Sequence, residues 1–191
     1  SVPMKLNSIQ SRYVDYDSTG QDDILKARQQ GFSSIITAIF TTDFILRKNS
    51  YSMVVADIDD NAEGLLRKVK RYIQSYEEKN KIKVPLKYNS VNQLYNPFMQ
   101  STYTIGTAKN TELGRSKTIT NLHLSEVAFY RDIQRIIAGA GQAVVDGGRK
   151  ILETTANGFN DYKKFREESS AGNNGYKALF YRASDFYDSD F

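Results

Sequence analysis

One stretch constrains the fold of this chain more than any other. It is Ile24-Leu25-Lys26-Ala27-Arg28-Gln29-Gln30-Gly31-Phe32-Ser33-Ser34, followed by the apolar run Ile35 to Phe40. A short apolar segment leads into a polar, basic turn with one glycine, and a helix-length apolar run follows. Strand, anion-friendly turn and helix make the layout of a phosphate-binding loop. The first N–H groups of a helix have no intrahelical partner, and the helix dipole favours negative charge beside them. Ser33 stands where a loop hydroxyl would meet Mg²⁺. Against the pattern G-x-x-x-x-G-K-[ST], Lys26 occupies the first glycine position and Phe32 the lysine position. An ordinary basic turn between a strand and a helix reads the same way from this stretch alone, so the rest of the chain has to decide.

A chain of 191 residues, 40% hydrophobic and 25% charged, is long enough for one α/β domain with a real core. No apolar run approaches the length that spans a bilayer, and the N-terminus lacks the charged-then-apolar layout of a signal peptide. With no cysteine and a single histidine, disulfides, thiolate metal sites and multi-histidine sites are excluded. The net charge of +4 permits a polyanion such as DNA as partner without demanding one. Some of the 13 tyrosines could stack on bases, but most suit a core or its rim.

Taken in order, Ile9 to Tyr13 reads as a short helix and Gly20 to Asp23 as a turn before a strand from Ile24 to Ala27. A helix packed on a sheet follows from Ser34 to Leu46, ending at the basic Arg47-Lys48. Tyr51 to Ala56 reads as a buried strand. Asp60 then looks like a helix N-cap with Glu63 as its capping-box partner. Ala62, Leu65, Leu66, Val69, Ile73 and Tyr76 recur at helical spacing. Arg67, Lys68, Lys70 and Arg71 crowd the other side, as a solvated face or as a surface for DNA. Lys79 to Asn96 is polar and irregular, with short strands. Ser101 to Ala108 reads as a strand, Lys109 to Lys117 as a basic loop, and Thr118 to Leu124 as an alternating strand. Val127 to Val145 reads as mainly helical with a break near Gly139 and Gly141, and Asp146-Gly147-Gly148 as a turn. Lys150 to Thr155 and Ala178 to Arg182 complete the strands, with a Gly/Asn-rich loop from Ser169 to Gly175. No repeat is visible. Alternating strands and helices predict a mainly parallel sheet flanked by helices on both faces, with ligands at the carboxyl ends of its strands.

Three such ends carry chemistry: Lys26 to Ser33, Ser125-Glu126, and Thr154-Thr155-Ala156-Asn157. Hydrolysis of a phosphoanhydride needs cations on the β- and γ-phosphates, an oxygen donor for Mg²⁺ and a carboxylate that positions water. Lys26 or Arg28 fits the first, Ser33 the second and Glu126 the third. A Ser-Glu pair is also what a helix N-terminus takes for its dipole. His123 reads as a half-buried strand histidine, and Asn157 as a turn residue before Gly158 or a γ-phosphate sensor.

Together these residues resemble the ATPase domain of the tailed-bacteriophage terminase large subunit. Lys26-Ala27-Arg28-Gln29-Gln30-Gly31-Phe32-Ser33 resembles that family's deviant Walker A, with the lysine moved to the first position, an arginine in the loop and an aromatic before the serine. Leu122-His123-Leu124-Ser125-Glu126 resembles its Walker B, and Thr154 to Gly158 its coupling motif. Gln10 resembles the upstream glutamine that reads adenine.

The resemblance implies a P-loop NTPase fold of the RecA/ASCE type, ATP and Mg²⁺ as ligands, and Ser34 within the phosphate site. It also implies a trans-acting arginine, for which Arg115 is the candidate and Arg131 the fallback. Walker B ordinarily ends Asp-Glu; here Ser125 replaces the aspartate and can hold a Mg²⁺-bound water without supplying charge.

The implied role is packaging of double-stranded DNA by a ring of subunits, with portal, prohead and small terminase subunit as partners, in the host cytoplasm at the portal and with no membrane. Residues 1–22 would form an adenine-side lead-in, 23–182 the core, and 183–191 a tail towards a nuclease domain beyond Phe191, so nuclease activity is not expected of this stretch. Two other readings remain: a helicase-like P-loop translocase, or a non-catalytic DNA-binding assembly module with a degenerate loop.

Overall fold

The computed structural model describes residues 4–110, 114 and 116–185. The first helix, α1 (Ser8–Arg12), runs into a wider turn at Tyr13–Asp17, and β1 (Gln21–Lys26) follows. Then come α2 (Phe32–Leu46), β2 (Tyr51–Ala56) and the long α3 (Asp59–Asn80). A short antiparallel ribbon, β3 (Tyr88–Asn89) and β4 (Gln93–Asn96), leads to β5 (Ser101–Thr107) and β6 (Ile119–Ser125). After a 3₁₀ turn at Val127–Phe129 come α4 (Ile133–Ile136), a wide turn at Ile137–Gly141, β7 (Val144–Thr154), α5 (Asp161–Ser170) and β8 (Lys177–Tyr181).

The strands form a single sheet in the order β3-β4-β5-β2-β6-β7-β1-β8. From β5 to β8 every neighbouring pair is parallel; only β3–β4 and β4–β5 are antiparallel. Parallel strands need covered faces. One core holds Phe40, Phe44 and Val69 from α2 and α3 against Val54, Ile105 and Ile151. The other holds Ile133, Ile136 and Phe165 against Val55, Leu122 and Leu152. Successive residues such as Val54 and Val55, or Ile151 and Leu152, thus serve opposite layers, as the period of two requires. The strand β7 lies between β1 and β6, so the two motif-bearing strands are separated by a third. That order, with helices on both faces, is the P-loop NTPase fold of the RecA type.

Four local expectations need correction. Asp22 and Asp23 lie within β1 rather than in a turn, and both are buried. Asp22 accepts hydrogen bonds from Tyr13 Oη (2.9 Å), Ser18 Oγ (2.6 Å) and the Thr19 amide (2.9 Å). Asp23 accepts from Tyr162 Oη at 2.7 Å and pairs with Arg166 at 3.2 Å. Those partners offset the desolvation that otherwise keeps aspartate out of strands. Helix α3 starts one residue before the expected cap: Ile58 holds the N-cap position and no side chain caps the helix. The stretch Val127 to Val145 is helical at Val127–Phe129, Ile133–Ile136 and Ile137–Gly141, but it breaks at Tyr130, whose hydroxyl donates to the Val55 carbonyl at 2.7 Å, and β7 already begins at Val144. Finally, Asp146-Gly147-Gly148 is an outward bulge inside β7, not its boundary: Ile119 pairs with Val144 but Asn121 with Arg149. Gly148 is required there, since a Cβ would stand 2.9 Å from the Val145 carbonyl and 3.0 Å from that of Thr120.

Candidate active site

Between β1 and α2 the chain turns over Ala27 to Gly31. Gln29 (φ 63°) and Gly31 (φ 77°) both adopt the left-handed conformation, and no side chain caps α2. No side chain occupies the start of α2, an arrangement that suits an anion there. Phe32 points away from that opening. It is 1% exposed and packs edge-on to Tyr13 (centroids 5.5 Å) and against Tyr181 (4.7 Å). The residue at the lysine position of the pattern is thus the anchor of the loop. Gln30 Nε2 donates to the Arg182 carbonyl at 2.7 Å, a second anchor. Arg28 and Gln29 stand exposed at the rim, and Ala27 is fixed by its amide on the Tyr181 carbonyl at 3.0 Å.

Lys26, at the end of β1, ion-pairs with Glu126 Oε1 at 3.1 Å and with Glu153 Oε2 at 3.0 Å. Burial acts to lower the Lys26 ammonium, but the two carboxylates outweigh it and hold the pKa above its ordinary value. Glu126 is left-handed at φ 58°, unusual for a residue other than glycine or asparagine and the kind of strain that collects at functional sites. Its other oxygen accepts from the Thr155 amide at 3.2 Å and the Thr155 hydroxyl at 3.4 Å. The structure thus brings Lys26, Glu126 and Thr155 together. Thr154 Oγ1 accepts from the Ala128 amide at 3.2 Å, and Asn157 Nδ2 donates to the Ala128 carbonyl at 3.0 Å. Thr154 to Asn157, Ala156 included, therefore track the turn that follows Glu126.

Glu153 was not singled out from the sequence, yet it organises the site. It is fully buried on β7, opposite Ser125 in the ladder. One oxygen, Oε1, accepts from Ser33 Oγ and from Ser125 Oγ, each at 2.7 Å. His123 Nε2 lies 3.4 Å from the same oxygen but is not aligned for a hydrogen bond; its ring packs edge-on to Phe40. His123 is fully buried, not half-buried. Burial acts to raise the Glu153 carboxyl; His123, Lys26 and Ser125 act the other way and hold it below the usual carboxylate range. The available signal was a lone acid in the apolar run Ile151-Leu152-Glu153-Thr154, since acids are almost never fully buried unless paired.

Two further expected residues have partners within the chain. Gln10 is buried, its Oε1 accepting from the Asn7 amide at 3.1 Å and its Nε2 donating to the Gly31 carbonyl at 2.9 Å, so it braces the loop. Ser34 Oγ accepts from Lys68 Nζ at 3.0 Å. Burial, aided by Arg71 and Lys26 and opposed by Glu153, keeps the Lys68 pKa below its ordinary value, so this cation belongs to the site side of α3 rather than to a solvated face. Arg131 is exposed, and Arg115 lies outside the described residues.

A cleft of about 260 Å³ opens above these groups, lined by Lys26, Arg28, Gln29, Glu126 and Thr155, with Asp57 beyond the end of β2. A larger groove of about 790 Å³ between α2 and α3 holds none of this chemistry. Among the described residues no group of three His, Cys, Asp or Glu side chains forms a metal cage. Mg²⁺ does not ask for one. It takes one or two carboxylates, hydroxyls and substrate phosphates, and the Ser33 hydroxyl beside the Glu153 carboxylate fits that donor set.

No family model and no curated protein matches the sequence. Solved structures do. The large terminase ATPase domain of Thermus phage P74-26 matches with a TM-score of 0.67 at 14% identity, over 98% of this chain and 84% of that one. The large terminase of bacteriophage HK97 matches at 0.68 and 14%, over 95% of this chain and 40% of that one. The large terminase of a thermophilic bacteriophage, in complex with ATP-gamma-S, matches at 0.60 and 14%, over 96% of this chain and 46% of that one. In its sheet order and in the elements that carry its loop, the chain has the fold of the phage large terminase ATPase domains.

Proposed function

We propose that this chain hydrolyses ATP to drive double-stranded viral DNA into a prohead, as the ATPase part of a phage large terminase. The observation that carries the reading is the convergence of Lys26 from the end of β1 and Glu126 from the end of β6 on one cleft, with Glu126 bonded to Thr155 and Ser33 bonded to the Glu153 that also pairs with Lys26. The uncapped start of α2 and Lys26 take the β- and γ-phosphates, and Arg28 adds charge from the rim. Mg²⁺, bound at Ser33, would neutralise phosphate charge. Glu126 holds a water in line and accepts its proton as the new bond to the γ-phosphorus forms and the bridging oxygen departs with ADP. The bond from Glu126 to Thr155 gives the event a route into the turn at Ala128, and so to movement.

On this reading the partners are DNA, the portal and prohead, the small terminase subunit and further copies of this chain in a ring. The place of action is the host cytoplasm at the portal. Among the described residues no helix is long and apolar enough to cross a membrane.

The test is ATP binding and turnover by wild type and Glu126→Gln, at high protein concentration and with prohead and portal. The variant should bind ATP as wild type does and turn it over about 10²- to 10⁴-fold more slowly. Equal turnover by both proteins would remove Glu126 from the reaction, and no ATP binding by either would remove the phosphate loop.

A further inference from the structure

We infer that Glu153 is the carboxylate that holds the nucleotide's divalent cation, taking from the neighbouring strand the place that a Walker B aspartate fills in P-loop enzymes. The inference rests on the nucleotide-binding reading above. In P-loop enzymes the loop hydroxyl and an acid at the end of the Walker B strand hold Mg²⁺ together. Here the strand end β6 offers only Ser125. The acid has moved one strand across, to the residue directly opposite Ser125. Its Oε1 sits 2.7 Å from both the Ser33 and the Ser125 hydroxyls, so the exchange of positions keeps a carboxylate against the loop serine.

A purely structural role explains less. Pairing with Lys26 would satisfy Glu153 if Lys26 were its own cation, but Lys26 is shared with Glu126. Lys26 Nζ lies 3.0 Å from Glu153 Oε2 and 3.1 Å from Glu126 Oε1, so one ammonium answers two carboxylates. An acid in that state carries a high desolvation cost that an internal pair offsets poorly. A divalent cation at Ser33 would take over the charge of Glu153 and free Lys26 for the phosphates.

The test compares the affinity for ATP-gamma-S with Mn²⁺ against that with EDTA, by titration calorimetry, with Mn²⁺ binding followed by electron paramagnetic resonance. Wild type should bind more tightly with the metal. Glu153→Gln, folded by circular dichroism, should lose about 10- to 100-fold of that ratio. The double variant Ser125→Asp with Glu153→Thr returns the acid to β6 and should recover the ratio. It also decides the matter should Glu153→Gln not fold. An unchanged ratio in folded Glu153→Gln overturns the inference, as does a double variant that fails to fold or binds nucleotide without metal preference. Wild-type binding that is indifferent to Mn²⁺ overturns it while leaving the nucleotide site standing. No ATP-gamma-S binding at all overturns both.

Discussion

Phe32 shows how far a sequence pattern can depart from its usual form while the geometry holds. The position that carries lysine in the common loop pattern is filled by a ring wedged between Tyr13 and Tyr181. A cation stands instead at Lys26, whose ammonium lies between Glu126 and Glu153 at the end of β1. Restoring the familiar pattern should therefore do harm. Phe32→Lys removes a buried ring and places an ammonium among aromatics, so it should cost about 3–5 kcal/mol. A urea unfolding midpoint well below that of wild type is the expected result. An unchanged midpoint with tighter nucleotide binding would mean that position 32 faces the phosphates after all. Lys26 and Glu126 were legible as neighbours of one cleft, because the first ends β1 and the second follows β6 directly. The sequence did not show Glu153, whose role depends on which strand lies beside β6, and strand order is not written in local pattern.

At the scale of elements, the strands and the first two long helices were legible because their apolar spacing is strong. Ala62, Leu65, Leu66, Val69 and Ile73 mark α3 clearly. Its start was misread, since Asp60 and Glu63 fit a capping box that does not form. Instead Asp57 accepts from Asn61 Nδ2 at 2.6 Å and Ile58 takes the cap position uncapped. Helix α5 was missed, although Tyr162, Phe165 and Ser169 are buried on one side and Lys163 pairs with Glu167 at 2.6 Å across one turn. Ten polar-rich residues beside a Gly/Asn-rich loop give little pattern to read. The uncapped α3 makes a prediction. Ile58 has the extended backbone of an N-cap, φ −133° and ψ 162°, and is exposed. Ile58→Asp should supply the missing acceptor and add about 1 kcal/mol of stability. In a chain of this size that raises the melting temperature by about 2–4 °C. A fall in melting temperature would show that the Ile58 side chain contributes more by packing than a cap returns.

For the whole molecule, the question is what completes the charge around a bound triphosphate. The cleft presents two cations, Lys26 and Arg28, and Lys26 is already shared by two carboxylates. Phosphoryl transfer gains several orders of magnitude from one further arginine, which P-loop enzymes often take from a neighbouring molecule. On the proposed ring, the candidate for that arginine is Arg115, with Arg131 as the alternative. A cation supplied by a neighbour has a distinctive consequence. Two variants, each inactive alone, should help each other when mixed: Glu126→Gln lacks the acid but offers the arginine, while Arg115→Ala keeps the acid and lacks the arginine. Sites that pair the intact acid of one with the intact arginine of the other should turn over ATP. Mixing should thus restore part of the wild-type rate, and that rate should rise more steeply than protein concentration below the assembly range. If Arg131→Ala complements Glu126→Gln and Arg115→Ala retains full activity, the role passes to Arg131. If neither arginine variant loses activity, the cation comes from within the same chain, and the cleft works without a neighbour.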